Sequence, residues 1–247
     1  MRPPRFVSFF AGIGGMDLGL ERAGMECVGQ VEIDSYCRKV LAKHWPHVKR
    51  MEDVRDVQGH EFGEFDYLVA GFPCQDVSNA GKRAGVSASR SGLYWEVVRC
   101  LRVVRPYGCV LENVAALLAR GMGTVLGDLA ACGYGAEWDC VPACAVGAPH
   151  QRDRVFMLAH DRQEREQGHF TQAVQRQPAF SWCEDGGGFE GLRRRSPVPS
   201  PLFRGGRDGI PDWMGRVEGC GNAVVVQVAE YIGTQIVRAW NNRHASE

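Results

Sequence analysis

With 247 residues, 45% of them apolar, the chain is long enough to bury one full α/β core with at most a small appended lobe. Its 29 basic and 29 acidic side chains cancel, which excludes wholesale electrostatic wrapping of a polyanion and leaves any such contact to local clusters. Ten scattered cysteines without a Cys-x-x-Cys pair argue against a disulfide scaffold and against a metal site, and no leader or bilayer-length apolar run is legible, so an intracellular protein is expected.

Phe6 to Phe10 reads as a buried strand, followed by a turn of small residues, Ala11-Gly12-Ile13-Gly14-Gly15. A helix is expected from Met16 to Ala23, with apolar residues at 16, 20 and 23 and Gly24 as its stop. Cys27 to Val31 is a second strand ending at Glu32, and Asp34 or Ser35 caps a helix that must end before Pro46. Further strands are predicted at Tyr67 to Ala70, Cys109 to Leu111, Gly135 to Val141 and Val155 to Ala159. Helical periodicity falls at Leu93 to Val104 and Thr124 to Cys132 between them. Such alternation predicts an α/β fold with a mostly parallel sheet. Residues 161–215 break the pattern with Gly186-Gly187-Gly188 and Pro197-Val198-Pro199-Ser200-Pro201 and read as an insertion or a small irregular lobe. Helical periodicity returns at Val224 to Trp240, where Val224, Val228, Ile232 and Ile236 share a face.

Small residues between a strand and a helix let a ligand approach the backbone, and the helix start adds free N–H donors. Glu32 ends the next strand 20 residues after Gly12, the spacing at which a carboxylate can accept from both hydroxyls of a ribose. Leu18 does not supply the third glycine of a dinucleotide fingerprint, so a nucleoside such as S-adenosylmethionine suits the turn better; a dinucleotide and an ordinary tight turn remain open. Asp53 could reach an adenine amino group or be a surface loop acid. Gly71-Phe72-Pro73-Cys74-Gln75 places a thiol after a buried strand, with Lys82, Arg83 and Arg90 following. Cationic neighbours lower a thiol pKa and favour the nucleophilic thiolate, whereas the alternative is a buried free cysteine. Glu112, closing another strand, would open onto the same crevice with a raised pKa suited to proton donation; the alternative is an exposed Glu112 beside an Asn113 helix cap. Arg152 and Arg154 would project on one side of a strand start, or simply be solvated there. Two segments are locally basic, Lys82 to Arg105, and Gly191 to Arg207 with Arg193, Arg194, Arg195, Arg204 and Arg207; either can contact a polyanion or be only a solvated face.

In their order along the chain these motifs resemble the C5-cytosine DNA methyltransferases, over about residues 5–160 and 204–240. The resemblance implies a Rossmann-like S-adenosylmethionine-dependent fold with a small irregular target-recognition lobe. It divides the chain into a catalytic and cofactor-binding domain at 1–160, a recognition region at 161–215 and a returning C-terminal helix at 216–247. Phe10, Ala11, Gly12, Ile13 and Gly15 match the cofactor loop, Glu32 and Ile33 the ribose and adenine contacts, and Asp53 with Val54 the adenine-amino site. Pro73 and Cys74 match the nucleophile loop; Gln75, Ser78, Lys82 and Arg90 continue into the segment that closes over DNA in this family, with Leu93 just after it. Glu112 matches the proton donor, Arg152 and Arg154 the arginines that hold the target base, and Asn222 with Ala223 the late motif that returns to the cofactor.

On this resemblance the chain would methylate carbon 5 of a flipped cytosine in double-stranded DNA through a Cys74 adduct at carbon 6. It would act as a cytoplasmic monomer with no membrane role, and a cognate restriction endonuclease would share its recognition sequence without having to bind it. Two departures stand out. Val226 occupies a position where a proline is expected, and residues 161–215 are short for a recognition lobe, which implies a short recognition sequence read by the arginines there. The alternatives are the tRNA-methylating branch, whose extra proline is here Phe72, a DNA-binding relative with weak or no activity, and a nicotinamide oxidoreductase.

Overall fold

The computed structural model describes residues 2–73, 92–147, 151–161 and 223–244. Among these residues seven strands form one sheet: β1 (Arg5–Phe9), β2 (Glu26–Val31), β3 (Lys49–Met51), β4 (Tyr67–Gly71), β5 (Gly108–Val114), β6 (Tyr134–Pro142) and β7 (Asp153–Asp161). Their spatial order is β3-β2-β1-β4-β5-β7-β6. The first five run parallel, and β7 lies antiparallel between β5 and β6. Helices α1 (Gly15–Arg22), α2 (Ser35–His44), α3 (Tyr94–Val104), α4 (Leu117–Arg120), α5 (Met122–Ala131) and α6 (Val226–His244) accompany the strands. The mostly parallel α/β architecture expected from the alternating pattern is therefore present.

Strands buried on both faces explain the continuous apolar runs of the sequence. Tyr67-Leu68-Val69-Ala70 is buried throughout, and its side chains alternate between two cores. Leu68 and Ala70 pack with Val97, Val98 and Leu101 of α3 and with Val125 and Leu129 of α5. Tyr67 and Val69 pack with Leu20 of α1, Leu41 of α2, and Val228, Ile232 and Ile236 of α6. Two helical layers thus sandwich the sheet.

Several boundaries differ from the periodicity reading. Phe10 is not part of β1: its φ of 56° lies in the left-handed region and turns the chain out of the sheet. Strand β3 was not anticipated, because its three residues Lys-Arg-Met carry no apolar alternation. Asp34 caps α2, its side chain accepting from the Cys37 N–H. Helix α6 begins at Val226 rather than Val224. A first helical position needs no N–H partner, so a proline or a valine serves there equally and the departure at Val226 leaves the turn intact. Among the described residues no helix is long and apolar enough to cross a membrane.

Candidate active site

In a doubly wound sheet the crevice opens where successive strands diverge, at their carboxyl ends. Here β1 leads to β2 on one side, while β4 lies on its other side. The β1 turn at Phe10 to Gly14, the β2 end at Glu32, the β4 end at Gly71 to Pro73 and the end of β5 therefore share one edge. The antiparallel β7 brings in the arginines. Because it runs the opposite way, its amino end lies beside the carboxyl end of β5, with Arg154 paired to Val114 and Phe156 to Glu112. A parallel β7 would have carried both arginines to the far edge.

The glycine turn and Glu32 are joined directly. Glu32 Oε2 accepts from the Gly12 N–H at 2.7 Å, and Oε1 accepts from the Asp34 N–H at 2.8 Å. Each carboxylate oxygen keeps a second lone pair for a ligand hydroxyl. Gly12 has φ +56°, and a side chain built there would meet nothing within 4 Å, so the turn faces open space. Ile33, 59% exposed, is an apolar surface beside that carboxylate. Asp53 caps a 3-10 turn at Val54–Asp56, accepting from the Arg55 N–H at 2.9 Å and ion-pairing with the Arg55 guanidinium. Arg55 holds the Asp53 carboxyl down at about 2, so it stays ionised as an acceptor. The Val54 side chain is buried in the core, which leaves only its backbone to face a ligand.

The late segment returns to this turn. A β-carbon on Gly15 would lie 2.5 Å from the Val224 carbonyl oxygen, so residues 223 to 225 pass directly over the start of α1. Gly15 thus serves close packing between chain segments, and its neighbour Gly12 is the residue with free space. Ala11 is buried and Ile13 half-buried on the same turn.

At the other end of the crevice Glu112 is 9% exposed, and the Arg154 Nε lies 2.9 Å from its Oε1. Burial pushes the Glu112 carboxyl above the ordinary carboxylate range, while the Arg154 and Arg152 guanidiniums pull it back. Burial in turn pushes the Arg152 guanidinium down, aided by Arg154. Arg152 has φ 37°, a strained left-handed backbone at the entry to β7. The exposed-Glu112 alternative is excluded: Asn113 is 3% exposed and lies within β5, not at a helix cap. Its Nδ2 donates to the Phe72 carbonyl at 2.9 Å, and its Oδ1 accepts from the Val114 N–H at 2.9 Å.

That bond fixes the exit of β4. Phe72 is buried with its ring 4.9 Å from that of Tyr94, at the start of α3, next to half-buried Leu93. A side chain on Gly71 would come within 3.2 Å of Glu112 Oε2, so glycine leaves the carboxyl room. Exposed Pro73 is the last described residue of this exit. Cys74, Gln75, Ser78, Lys82 and Arg90 lie outside the described residues, as do Asn222, Arg193, Arg194, Arg195, Arg204 and Arg207. Sequence reasoning missed Arg38, whose side chain donates to the Glu32 carbonyl at 3.1 Å and also to the Ile33 carbonyl. It also missed that Asn113 braces Phe72.

The described site thus places the Glu32 carboxylate beside an open glycine turn at one end and a buried acid beside arginines at the other, and methyltransferases are among the known proteins that the chain resembles. A relative, the type II methyltransferase M.BanI of Aneurinibacillus aneurinilyticus, is 37% identical over 164 residues, 62% of this chain and 38% of the relative. The type II methyltransferase M.NgoBV of Neisseria gonorrhoeae is 32% identical over 174 residues, 64% of this chain and 41% of the relative. The match spans about two fifths of the length of these curated relatives. Among solved structures, a putative DNA modification methyltransferase encoded within an E. coli prophage superimposes with a TM-score of 0.55 at 24% identity, covering 66% of this chain and 48% of that one. Spodoptera frugiperda DNMT2 superimposes with a TM-score of 0.54 at 18% identity, covering 64% of this chain and 50% of that one. Those two likenesses establish the Rossmann-like fold, and the family model for C-5 cytosine-specific DNA methylases matches residues 4–185. The chain belongs to the C-5 cytosine-specific DNA methylase family.

Proposed function

We propose that the chain transfers a methyl group from S-adenosylmethionine to carbon 5 of cytosine in duplex DNA. The observation that carries this reading is Glu112: a buried acid with a raised pKa, held 2.9 Å from Arg154 at the strand edge where the exit toward Cys74 begins. The residues fit the cofactor. Glu32 offers carboxylate lone pairs for a ribose diol, Gly12 leaves open backbone, Ile33 offers an apolar face for adenine, and Asp53 an ionised acceptor for its amino group. Phe10, Ala11, Ile13, Val54, Pro73, Leu93, Asn222 and Ala223 would complete that pocket. Once bound, the group supplies an electrophilic methyl on a sulfonium.

Carbon 5 of cytosine is a weak nucleophile, so the Cys74 thiolate adds to carbon 6 and places electron density at carbon 5. Glu112 donates its proton to N3, where negative charge would otherwise develop. Arg154 and Arg152 orient the base through its carbonyl oxygen. After carbon 5 takes the methyl, loss of its proton to water returns an electron pair that expels Cys74 as thiolate, and N3 gives its proton back to Glu112. The target carbons are stacked inside a duplex, so the cytosine must first swing out. Residues 161–215 would read the flanking bases with Arg193, Arg194, Arg195, Arg204 and Arg207. Gln75, Ser78, Lys82 and Arg90 would hold the DNA around the flipped base. Such an enzyme would protect DNA from a restriction endonuclease of the same specificity without needing to bind it.

Duplex DNA carrying 5-fluorocytosine tests the mechanism, because fluorine cannot leave as a proton does. Intact-mass analysis should show protein, DNA strand and methyl joined in one adduct that Cys74→Ser cannot form. Methylation of ordinary cytosine with no adduct at the fluorinated site would overturn the Cys74 role.

A further inference from the structure

The two acidic positions suited to a nucleoside, Glu32 and Asp53, stand on different turns, one after β2 and one after β3. A ribose and an adenine are joined rigidly, so a site for both must hold these turns at one separation. Strand β3 pairs with β2 through only three residues. The Glu32 N–H donates to the Met51 carbonyl at 3.1 Å, and one side chain adds a further connection. Arg38, on the first turns of α2, donates to the backbone carbonyls of Glu32 and Ile33 and meets the Glu52 carboxylate at 3.1 Å, one residue before Asp53.

We propose that Arg38 is a positioning residue for the nucleoside half of the cofactor, tying the turn that carries Glu32 and Ile33 to the turn that carries Asp53. It touches no ligand itself. Its fork-shaped guanidinium can donate to the two carbonyls and the carboxylate at once, which a lysine ammonium on a flexible stem does less well. The backbone contacts hold Arg38 to the Glu32 turn, while the ion pair to Glu52, with side chains 26% and 64% exposed, is the modest contact through which Arg38 reaches the Asp53 turn. The arrangement also keeps Glu32 oriented: its backbone carbonyl is held by Arg38 while its carboxylate is held by Gly12 and Asp34.

The inference rests on the cofactor reading above, and calorimetry with S-adenosylhomocysteine and its 2′,3′-dideoxy analogue separates the two. If the unaltered chain binds neither, the cofactor reading falls and the role of Arg38 falls with it. If it binds S-adenosylhomocysteine and prefers it to the dideoxy analogue, Arg38→Met should weaken the diol ligand about tenfold and erase most of that preference. Arg38→Lys should restore part of it. A merely structural role would weaken both ligands by the same factor and leave the preference unchanged, which would overturn the proposal. Glu52→Gln, a change at an exposed side chain, guards against a misfolded Arg38 variant. It should weaken S-adenosylhomocysteine by about two- to fivefold, and unchanged affinity would refute the bridge to the Asp53 turn.

Discussion

Replacing Gly19 by alanine and, separately, Gly127 by alanine puts the same methyl group in the middle of two helices with opposite expected outcomes. Gly127 lies on α5 with nothing within 4 Å of its would-be β-carbon, so alanine there should stabilise by about 0.5 to 1 kcal/mol through helix propensity. Gly19 lies on α1 against α6. Its β-carbon would sit 2.4 Å from the Val226 carbonyl oxygen, 2.5 Å from Ala229 Cβ and 2.7 Å from the Glu230 N–H nitrogen. Those neighbours are backbone or first side-chain atoms, which no rotamer change can move. The two helices must separate, and overpacking of this kind costs about 1 to 3 kcal/mol, more than the propensity gain. The propensity gain is common to both, so the variants should differ by about 1 to 3 kcal/mol, read as urea midpoints at unchanged m-value. The thermal midpoint moves about 2 to 4 °C per kcal/mol for a chain of this size. Because Val224 also rests on Gly15, the Gly19 variant should lose affinity for S-adenosylhomocysteine as well. Equal stability of the two variants would refute the docking of α6 on α1.

Glu112→Gln should slow methyl transfer by about 10²- to 10⁴-fold while leaving S-adenosylhomocysteine affinity unchanged, measured by tritium transfer and calorimetry. Folded Glu112 holds its proton more tightly than the unfolded chain does. Its contribution to stability is thus fully present below the ordinary carboxylate pKa and lost as pH rises through the folded value, a limb the Gln variant should lack. Asp17, wholly buried and pushed by desolvation up to about 6, follows the same sign. Stability should fall by up to about 3 kcal/mol between pH 4 and 6 in the parent, and urea titrations of Asp17→Asn should show that fall reduced. Val226→Pro at the first position of α6 should leave the unfolding free energy from urea titration unchanged or raise it by up to about 1 kcal/mol, whereas a large loss would contradict the helix start. Asn113→Leu should release the Phe72 carbonyl and cost about 1 to 3 kcal/mol, because a buried acceptor is left unpaired.

The parts of this fold legible in the sequence are those where burial imposes a period. Tyr67 to Ala70 and the four-residue spacing of Val228, Ile232 and Ile236 announce a buried strand and a buried helix face. The tie between Gly12 and Glu32 follows from strand order, since neighbouring parallel strands bring their carboxyl ends together. Direction is harder to read. Nothing in Val155 to Ala159 reveals that β7 runs antiparallel, yet that direction decides that Arg154 meets Glu112. Polar residues are harder still. An acid in a first helical turn is favoured there by the helix dipole and ordinarily faces water, but the Asp17 side chain turns inward to accept from Gln30 Nε2 at 2.8 Å. Gln30 in turn accepts from Arg50 at 3.0 Å. Arg38 and Asn113 act through backbone carbonyls, and a carbonyl has no sequence identity to pattern against.

The proposed chemistry requires that the chain methylate cytosine in duplex DNA. Bisulfite sequencing of DNA from cells expressing the chain, beside cells expressing Cys74→Ser, reports the base, the site and the activity together. Protected cytosines within one short sequence, absent with the serine variant, are predicted. Unprotected DNA throughout, with labelled methyl from purified protein appearing on tRNA instead, would rule out DNA cytosine methylation by this chain.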